Sequence, residues 1–209
     1  VVDAGAHRGE FSAEIMRKFG CKCHMIEANP ALAGGLARAG AATITCAALS
    51  ARDGSARLQL AENLESSSLQ INVENPGENS VEIKTISLAT FIQQLCSDRI
   101  DLLKMDIEGA EFDVIATTPD TVLRRIGQLT VEFHDFQSRF KGRQLFETAR
   151  KKLQSLGFAC IVMSFRTHGD VLFLNKDSLQ LSSLSAAYLR FAARFVEKIN
   201  ARAALPTPR

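Results

Sequence analysis

Val1-Val2-Asp3-Ala4-Gly5-Ala6-His7-Arg8-Gly9-Glu10-Phe11-Ser12 opens the chain, and its reading decides the fold. Two β-branched residues run into a turn carrying two glycines, after which Phe11, Ile15 and Phe19 recur at four-residue spacing as far as Gly20. That is a short strand, a tight turn and a helix with one apolar face, expected from about Ser12 to Phe19. The same unit then repeats. His24-Met25-Ile26-Glu27 reads as a second strand closed by Ala28-Asn29-Pro30, and Pro30 suits the first turn of a second helix reaching about Ala39. Thr43 to Leu49 reads as a third strand. Strands alternating with helices build a mainly parallel, doubly wound sheet.

Further along, residues 51–86 turn polar, with turn signals at Asp53-Gly54 and Asn75-Pro76-Gly77 and strand-like pieces at Ala56 to Leu60 and Val81 to Ile86. We read this as an insertion of short antiparallel strands and a loop. Leu88, Phe91, Ile92 and Leu95 form a helical stripe, and Ile100 to Ile107 is apolar enough for a strand buried on both faces. Glu111 to Ile115 begins another helix, Leu129 to Phe133 is the fifth strand, and Gln144 to Leu156 is an amphipathic helix stopped by Gly157. Phe158 to Phe165 and Asp170 to Leu174 are expected to close the sheet as an antiparallel edge hairpin around Thr167, His168 and Gly169. The expected domain therefore spans 1–178, and 179–209 forms a C-terminal helix and tail. Leu184, Tyr188, Phe191, Phe195 and Ile199 give that helix its stripe, and Pro206 and Pro208 end it. It is expected to pack on the domain, the alternative being a homodimer or partner contact.

The totals suit this picture and exclude others. With 209 residues, 46% hydrophobic and 23% charged, the chain has the balance of one globular domain with a substantial core. A net charge of +2 creates no field for a polyphosphate partner, so nucleic acid is not expected. No run of about 18 apolar residues occurs, so no membrane span is expected. Five cysteines, an odd number with no CxxC pair, point to a reducing, cytoplasmic setting. Cys21 and Cys23 beside His24 are expected to share one face of a strand, but they lack the second pair a metal site would need. The chain starts on Val directly in a strand and is expected to be a trimmed piece, from which a targeting segment can have been removed.

In open α/β sheets ligands sit beyond the carboxyl ends of the strands, and each of the relevant turns carries an acid. In the first turn Gly5 and Gly9 let the backbone approach a ligand, with Ala6 and His7 between them. A dinucleotide turn needs GxGxxG to admit a pyrophosphate, and no glycine lies between Gly5 and Gly9. Asp3 at the strand tip would repel a pyrophosphate but suits the ammonium of an amino-acid group, bound directly or through water. S-adenosylmethionine has that group and no phosphate. Glu27 suits both hydroxyls of a ribose, and the small residues around Ala47 leave a flat slot for an adenine ring. Asp106, Glu108 and Glu111 follow the fourth strand. We assign Glu111 mainly to capping the next helix, and Asp106 to the site. Glu132 and His134 share a face at the fifth strand, where a histidine of near-neutral pKa beside carboxylates is a candidate general base. A metal-free site is expected, with a divalent ion on Asp106, Glu132 and His134 as the alternative.

Taken together, Val2 to Ser12, Ile26-Glu27-Ala28-Asn29-Pro30, Ala48-Leu49-Ser50 with Asp53-Gly54, Leu103 to Glu111 and Glu132-Phe133-His134 resemble FkbM-type methyltransferases over roughly residues 1–175. The resemblance implies a class I methyltransferase fold, Rossmann-like with a seven-stranded sheet, and transfer of a methyl group, usually to a hydroxyl oxygen. Two positions depart from the pattern: His7 stands where Asn is frequent, and Cys46 where a polar residue is common. The candidate cofactor contacts are Asp3, Gly5, Ala6, His7, Gly9, Glu27, Ala47 and Asp106, and the candidate catalytic groups are His134, Asp106 and Glu108. The acceptor is expected to be a small molecule or glycan. A catalytically silent cofactor-binding or scaffold domain and an NAD-dependent oxidoreductase are the rival readings.

Overall fold

The computed structural model describes residues 1–39, 43–59, 68–70, 80–134, 139–163, 169–182, 184–189 and 191–192. Its first elements are β1 (Val2–Ala4), α1 (Glu10–Phe19), β2 (His24–Glu27), α2 (Pro30–Ala39) and β3 (Thr43–Cys46). Gly20, in the left-handed region, closes α1 by donating its N–H to the Met16 carbonyl. Ahead of α2, Asn29 Oδ1 accepts the Ala31 N–H at 3.0 Å, which supplies the cap that Pro30 needs in front of it.

Then come β4 (Ala48–Ser50), β5 (Gly54–Gln59), β6 (Ser68–Gln70), β7 (Ser80–Ser87) and α3 (Leu88–Gln94). The chain continues with β8 (Ile100–Met105), α4 (Glu111–Thr117), α5 (Asp120–Leu123), β9 (Ile126–Glu132), α6 (Arg139–Ser155), β10 (Phe158–Val162) and β11 (Asp170–Asn175). The main sheet has seven strands in the order β10-β11-β9-β8-β1-β2-β3. Strands β8, β1, β2, β3 and β9 pair in parallel, whereas β11 runs antiparallel to both β9 and β10. The expected α/β sheet with its C-terminal hairpin is present, and within the hairpin β11 is the strand that runs against the others.

Three expectations are corrected. Thr43 to Leu49 is two strands, because β4 leaves the main sheet after Ala47 to pair in parallel with β7 in a second sheet of order β4-β7-β5-β6. The α1 stripe is buried only in part: Phe19 is 65% exposed, and Ser12 is the buried residue of the helix. At 3.6 residues per turn a four-residue spacing drifts by about 40° per step, so Phe19 has rotated off the sheet. Cys21 and Cys23 precede β2 and share no strand face; Cys23 is buried against Ser12 Oγ, and Cys21 Sγ points to the Ile15 carbonyl. All five cysteines are free thiols.

Leu184, Tyr188 and Phe191 are largely exposed on the helical stretch at 184–189 and 191–192, and Ala186 is its buried contact, packed with Ala159, Ile161 and Leu174. The expected turn at Asn75-Pro76-Gly77, the strand ends at Leu60 and Phe165, the hairpin residues Thr167 and His168, and the helical positions Phe195 and Ile199 lie outside the described residues, as do Pro206 and Pro208. Among the described residues no helix is long and apolar enough to cross a membrane.

The main core lies between the sheet and its helices and includes Ile26, Phe91, Leu103, Met105, Leu129 and Phe173. One part of it matters for the site. Phe133, just past β9, stacks on Phe112 of α4 with centroids 4.7 Å apart and meets Phe146 of α6 edge-on at 5.7 Å. Burying an aromatic ring between two helices fixes the backbone that carries it, and so fixes the next residue, His134.

Candidate active site

The carboxyl ends of β1, β2 and β8 open onto a cavity of about 430 Å³, a volume in the range of small-molecule and cofactor sites. Gly5, Ala6, His7, Glu27, Ala47, Asp106 and Glu108 all line it, whereas Asp3 and Gly9 do not. The first turn explains the difference. Gly5 has a φ of +78°, and a Cβ there would lie 1.7 Å from the Asp106 carbonyl oxygen, so glycine is required by the neighbouring strand end rather than by a ligand. The N–H groups of Gly5 and Ala6 both donate to the Ile26 carbonyl, at 3.0 and 3.1 Å, binding the turn to β2. Gly9, at φ +76°, starts α1, and a Cβ there would meet Leu36 Cδ2 at 2.7 Å.

Glu27 joins two turns. Its Oε2 accepts the His7 N–H at 2.7 Å, and its Oε1 accepts the Asn29 N–H at 2.8 Å. Burial pushes its carboxyl pKa up, and these two N–H bonds pull it back. Each oxygen keeps a lone pair, so the carboxylate can accept further bonds from the cavity. Ala47 is buried beside it, and Leu58 of the second sheet joins the cavity wall.

Asp3 is fully buried. Its Oδ2 accepts the Ser12 hydroxyl at 2.6 Å, and its Oδ1 has Lys104 Nζ at 3.5 Å. Burial raises its pKa, against the pull of Lys104 and Ser12. The ammonium that sequence reading placed on Asp3 is thus supplied from within the chain. Lys104 Nζ also donates to Asp106 Oδ2 at 3.2 Å and to the Gly5 carbonyl at 3.3 Å, and its side chain lines the cavity.

His134 does not itself line the cavity but stands next to Asp106 and Glu108, which do. Its Nδ1 is 3.0 Å from Glu111 Oε1, and its Nε2 is 3.8 Å from Asp106 Oδ1, 3.8 Å from Glu108 Oε2 and 3.9 Å from Glu132 Oε1. Glu111 is fully buried and also accepts the N–H groups of Ile107 and Gly109. It does cap the turn, as expected, and in addition it grips the imidazole. The hydrogen bond to Glu111 is the main cause that raises the His134 pKa to about 9, with burial opposing and the Glu111, Glu108 and Asp106 charges adding. The near-neutral histidine of the sequence reading is corrected accordingly: its imidazole is predominantly protonated at pH 7. Burial, with neighbouring carboxylates adding, also pushes the Glu108 and Glu132 carboxyls up. Glu108 itself holds a left-handed φ of +55°, a strained backbone for a residue with a Cβ, at the point where β8 turns toward α4.

One ligand atom each from Asp106, Glu132 and His134 falls within a 4.8 Å span, the grouping that sequence reading named as the alternative metal set. Lys104 and the Glu111–His134 bond were not anticipated. A lysine one residue before the end of a strand rich in apolar residues was a signal for the first. The second joins residues 23 apart, and no local pattern announces it.

The family model described as the methyltransferase FkbM domain matches residues 3–160. Among solved structures, the precorrin-6y C5,15-methyltransferase from Geobacter metallireducens GS-15 is similar at 16% identity and a TM-score of 0.38, covering 82% of this chain and 76% of that one. The [4+2]-cyclase SpnF is similar at 13% identity and a TM-score of 0.33, covering 76% of this chain and 50% of its own. No curated protein matches the chain.

Proposed function

The chain belongs to the FkbM methyltransferase domain family, and from that premise we propose that it moves a methyl group from S-adenosylmethionine to a hydroxyl oxygen of a small molecule or glycan. The observation that carries this reading is the cavity itself, with a buried carboxylate, Glu27, in one wall and with Asp106 and Glu108 in its lining, each 3.8 Å from His134 behind them. A volume of about 430 Å³ holds a nucleoside with an amino-acid tail. Glu27 has spare lone pairs for two ribose hydroxyls, and Ala47 keeps the adjoining wall flat.

When bound, S-adenosylmethionine supplies an electrophilic methyl on a sulfonium. Its methyl would pass to the acceptor oxygen with the electron pair of the broken S–CH₃ bond left on sulfur, and the hydroxyl proton would leave to a base supplied by the chain. Displacement of this kind is governed by how well donor and acceptor are held in line, and the cavity walls supply that positioning. In its neutral form, the minor one at pH 7, His134 takes the proton at Nε2 while its Nδ1–H stays bonded to Glu111, as a carboxylate orients a catalytic imidazole. Asp106 and Glu108 are the next acceptors in reach. Asp3 contributes by holding Lys104, and Gly9 by starting α1. Five free thiols suit a reducing compartment such as the cytoplasm.

Two measurements test the reading. Calorimetry should give micromolar binding of S-adenosylmethionine or S-adenosylhomocysteine and none of NAD; tight NAD binding with no response to either would overturn it. Labelled methyl transfer into extracts of the source organism then separates an enzyme from a silent binding domain, since binding without transfer would support the latter.

A further inference from the structure

Lys104 stands between two carboxylates at the edge of the cavity. Its Nζ is 3.5 Å from Asp3 Oδ1 and 3.2 Å from Asp106 Oδ2, with the Phe11 ring centroid 5.8 Å away. An ammonium has three N–H groups, and hydrogen bonds to Asp106 and to the Gly5 carbonyl use two. The Asp3 contact is ionic and too long for a good hydrogen bond; Asp3 Oδ1 has no hydrogen-bond partner. Asp3 has no exposed surface and cannot touch a ligand itself, while Lys104 is 20% exposed and borders the cavity. The pair Lys104–Asp106 therefore presents one cation and one anion side by side to whatever enters.

Resting on the S-adenosylmethionine reading, we propose that Lys104, held in place by buried Asp3, binds the α-carboxylate of the cofactor's amino-acid tail while Asp106 takes its α-ammonium. The two charges of the tail interleave with the two charges of the rim, so each ion gains an opposite neighbour. A tail lacking the carboxylate forgoes that contact and leaves Lys104 with its Asp3 and Asp106 partners alone. The ligand preference thus arises from a lysine that answers Asp3 from the neighbouring strand, and the Asp3–ammonium contact expected from sequence, direct or through water, gives way to a carboxylate contact at Lys104.

The test is calorimetry on the full chain with three probes: S-adenosylhomocysteine, its decarboxylated analogue that keeps the amine, and 5′-methylthioadenosine, which has no amino-acid tail. The wild type should prefer S-adenosylhomocysteine over the decarboxylated analogue by about ten- to a hundredfold. Lys104→Met should erase that preference while leaving 5′-methylthioadenosine affinity within about twofold. Because Lys104→Met leaves Asp3 buried without its cation, the double variant Asp3→Asn with Lys104→Met is measured beside it and should show the same loss. Wild-type preference retained in either variant, the result expected if Arg8 at the rim held the carboxylate, overturns the proposal. So does a wild type that does not discriminate between the first two probes. A wild type that binds none of the three removes the cofactor reading itself, a result distinct from both.

Discussion

Glu111→Gln is the perturbation that most directly exposes how His134 works. The rise of the His134 pKa from its ordinary 6.5 to about 9 corresponds to about 3 kcal/mol of preference for the charged imidazole, most of it owed to Glu111. If neutral His134 accepts the proton, only about 1% of the molecules are competent at pH 7. The wild-type kcat/KM should therefore climb about tenfold per pH unit from pH 6 and level off near 9. In Glu111→Gln the carboxylate charge is gone, and the inflection should fall toward 6.5, with a lower plateau because the imidazole is less firmly held. NMR titration of the His134 ring should show the same displacement without any substrate, in a variant whose amide spectrum stays that of the folded protein, since an unfolded histidine would also titrate near 6.5. Stability obeys the same linkage: the raised pKa stabilises the fold fully below pH 6.5, and that contribution is lost as pH rises through about 9. A wild-type rate flat between pH 6 and 9, or an inflection unmoved by Glu111→Gln, would refute the assignment of His134 as base.

Other expectations are more local. Glu27→Ala should weaken S-adenosylhomocysteine binding by about 1 to 3 kcal/mol by calorimetry, and should lower the melting temperature as well, since the His7 and Asn29 N–H groups lose their acceptor; an unchanged dissociation constant places Glu27 outside the site. Gly5→Ala should fail to fold or melt far below wild type, because its Cβ would lie 1.7 Å from the Asp106 carbonyl at a positive φ, and a normal melt would contradict the described turn. Turnover should survive EDTA; loss that is restored by a divalent cation would instead give Asp106, Glu132 and His134 to a metal.

The alternation of apolar runs with helical stripes was enough to read most of the main sheet. Strand β2 and helix α2 begin and end where Pro30 and the turn residues place them, because proline and capping chemistry act within a few residues. Long-range pairing was less legible. Nothing in Thr43 to Ser50 says that Ala48 leaves one sheet for another, since the partner that draws it away, Thr85 on β7, lies 37 positions later. The short helix Asp120–Leu123 was missed, as a four-residue turn carries too little periodicity to register.

At the site, spacing located the strand tips but not the direction of each side chain. Alternation along a strand predicts facing only while the backbone stays extended. Here the turns pass through positive φ at Gly5, His7 and Gly9 after β1, and at Glu108 and Gly109 after β8, and each such residue re-aims the side chains that come after it. The acids read together from sequence consequently divide into two groups. Asp3 and Glu111 are fully buried and hold Lys104 and His134, both cationic side chains. Glu27, Asp106 and Glu108 face the cavity and are free to meet a ligand. A buried carboxylate is tolerated where a cation or several N–H groups answer it. The same two acids that stabilise the turns thus also fix the charge state and position of the groups next to the chemistry, which is why removing either should be read out in ligand preference or pH profile rather than in stability alone.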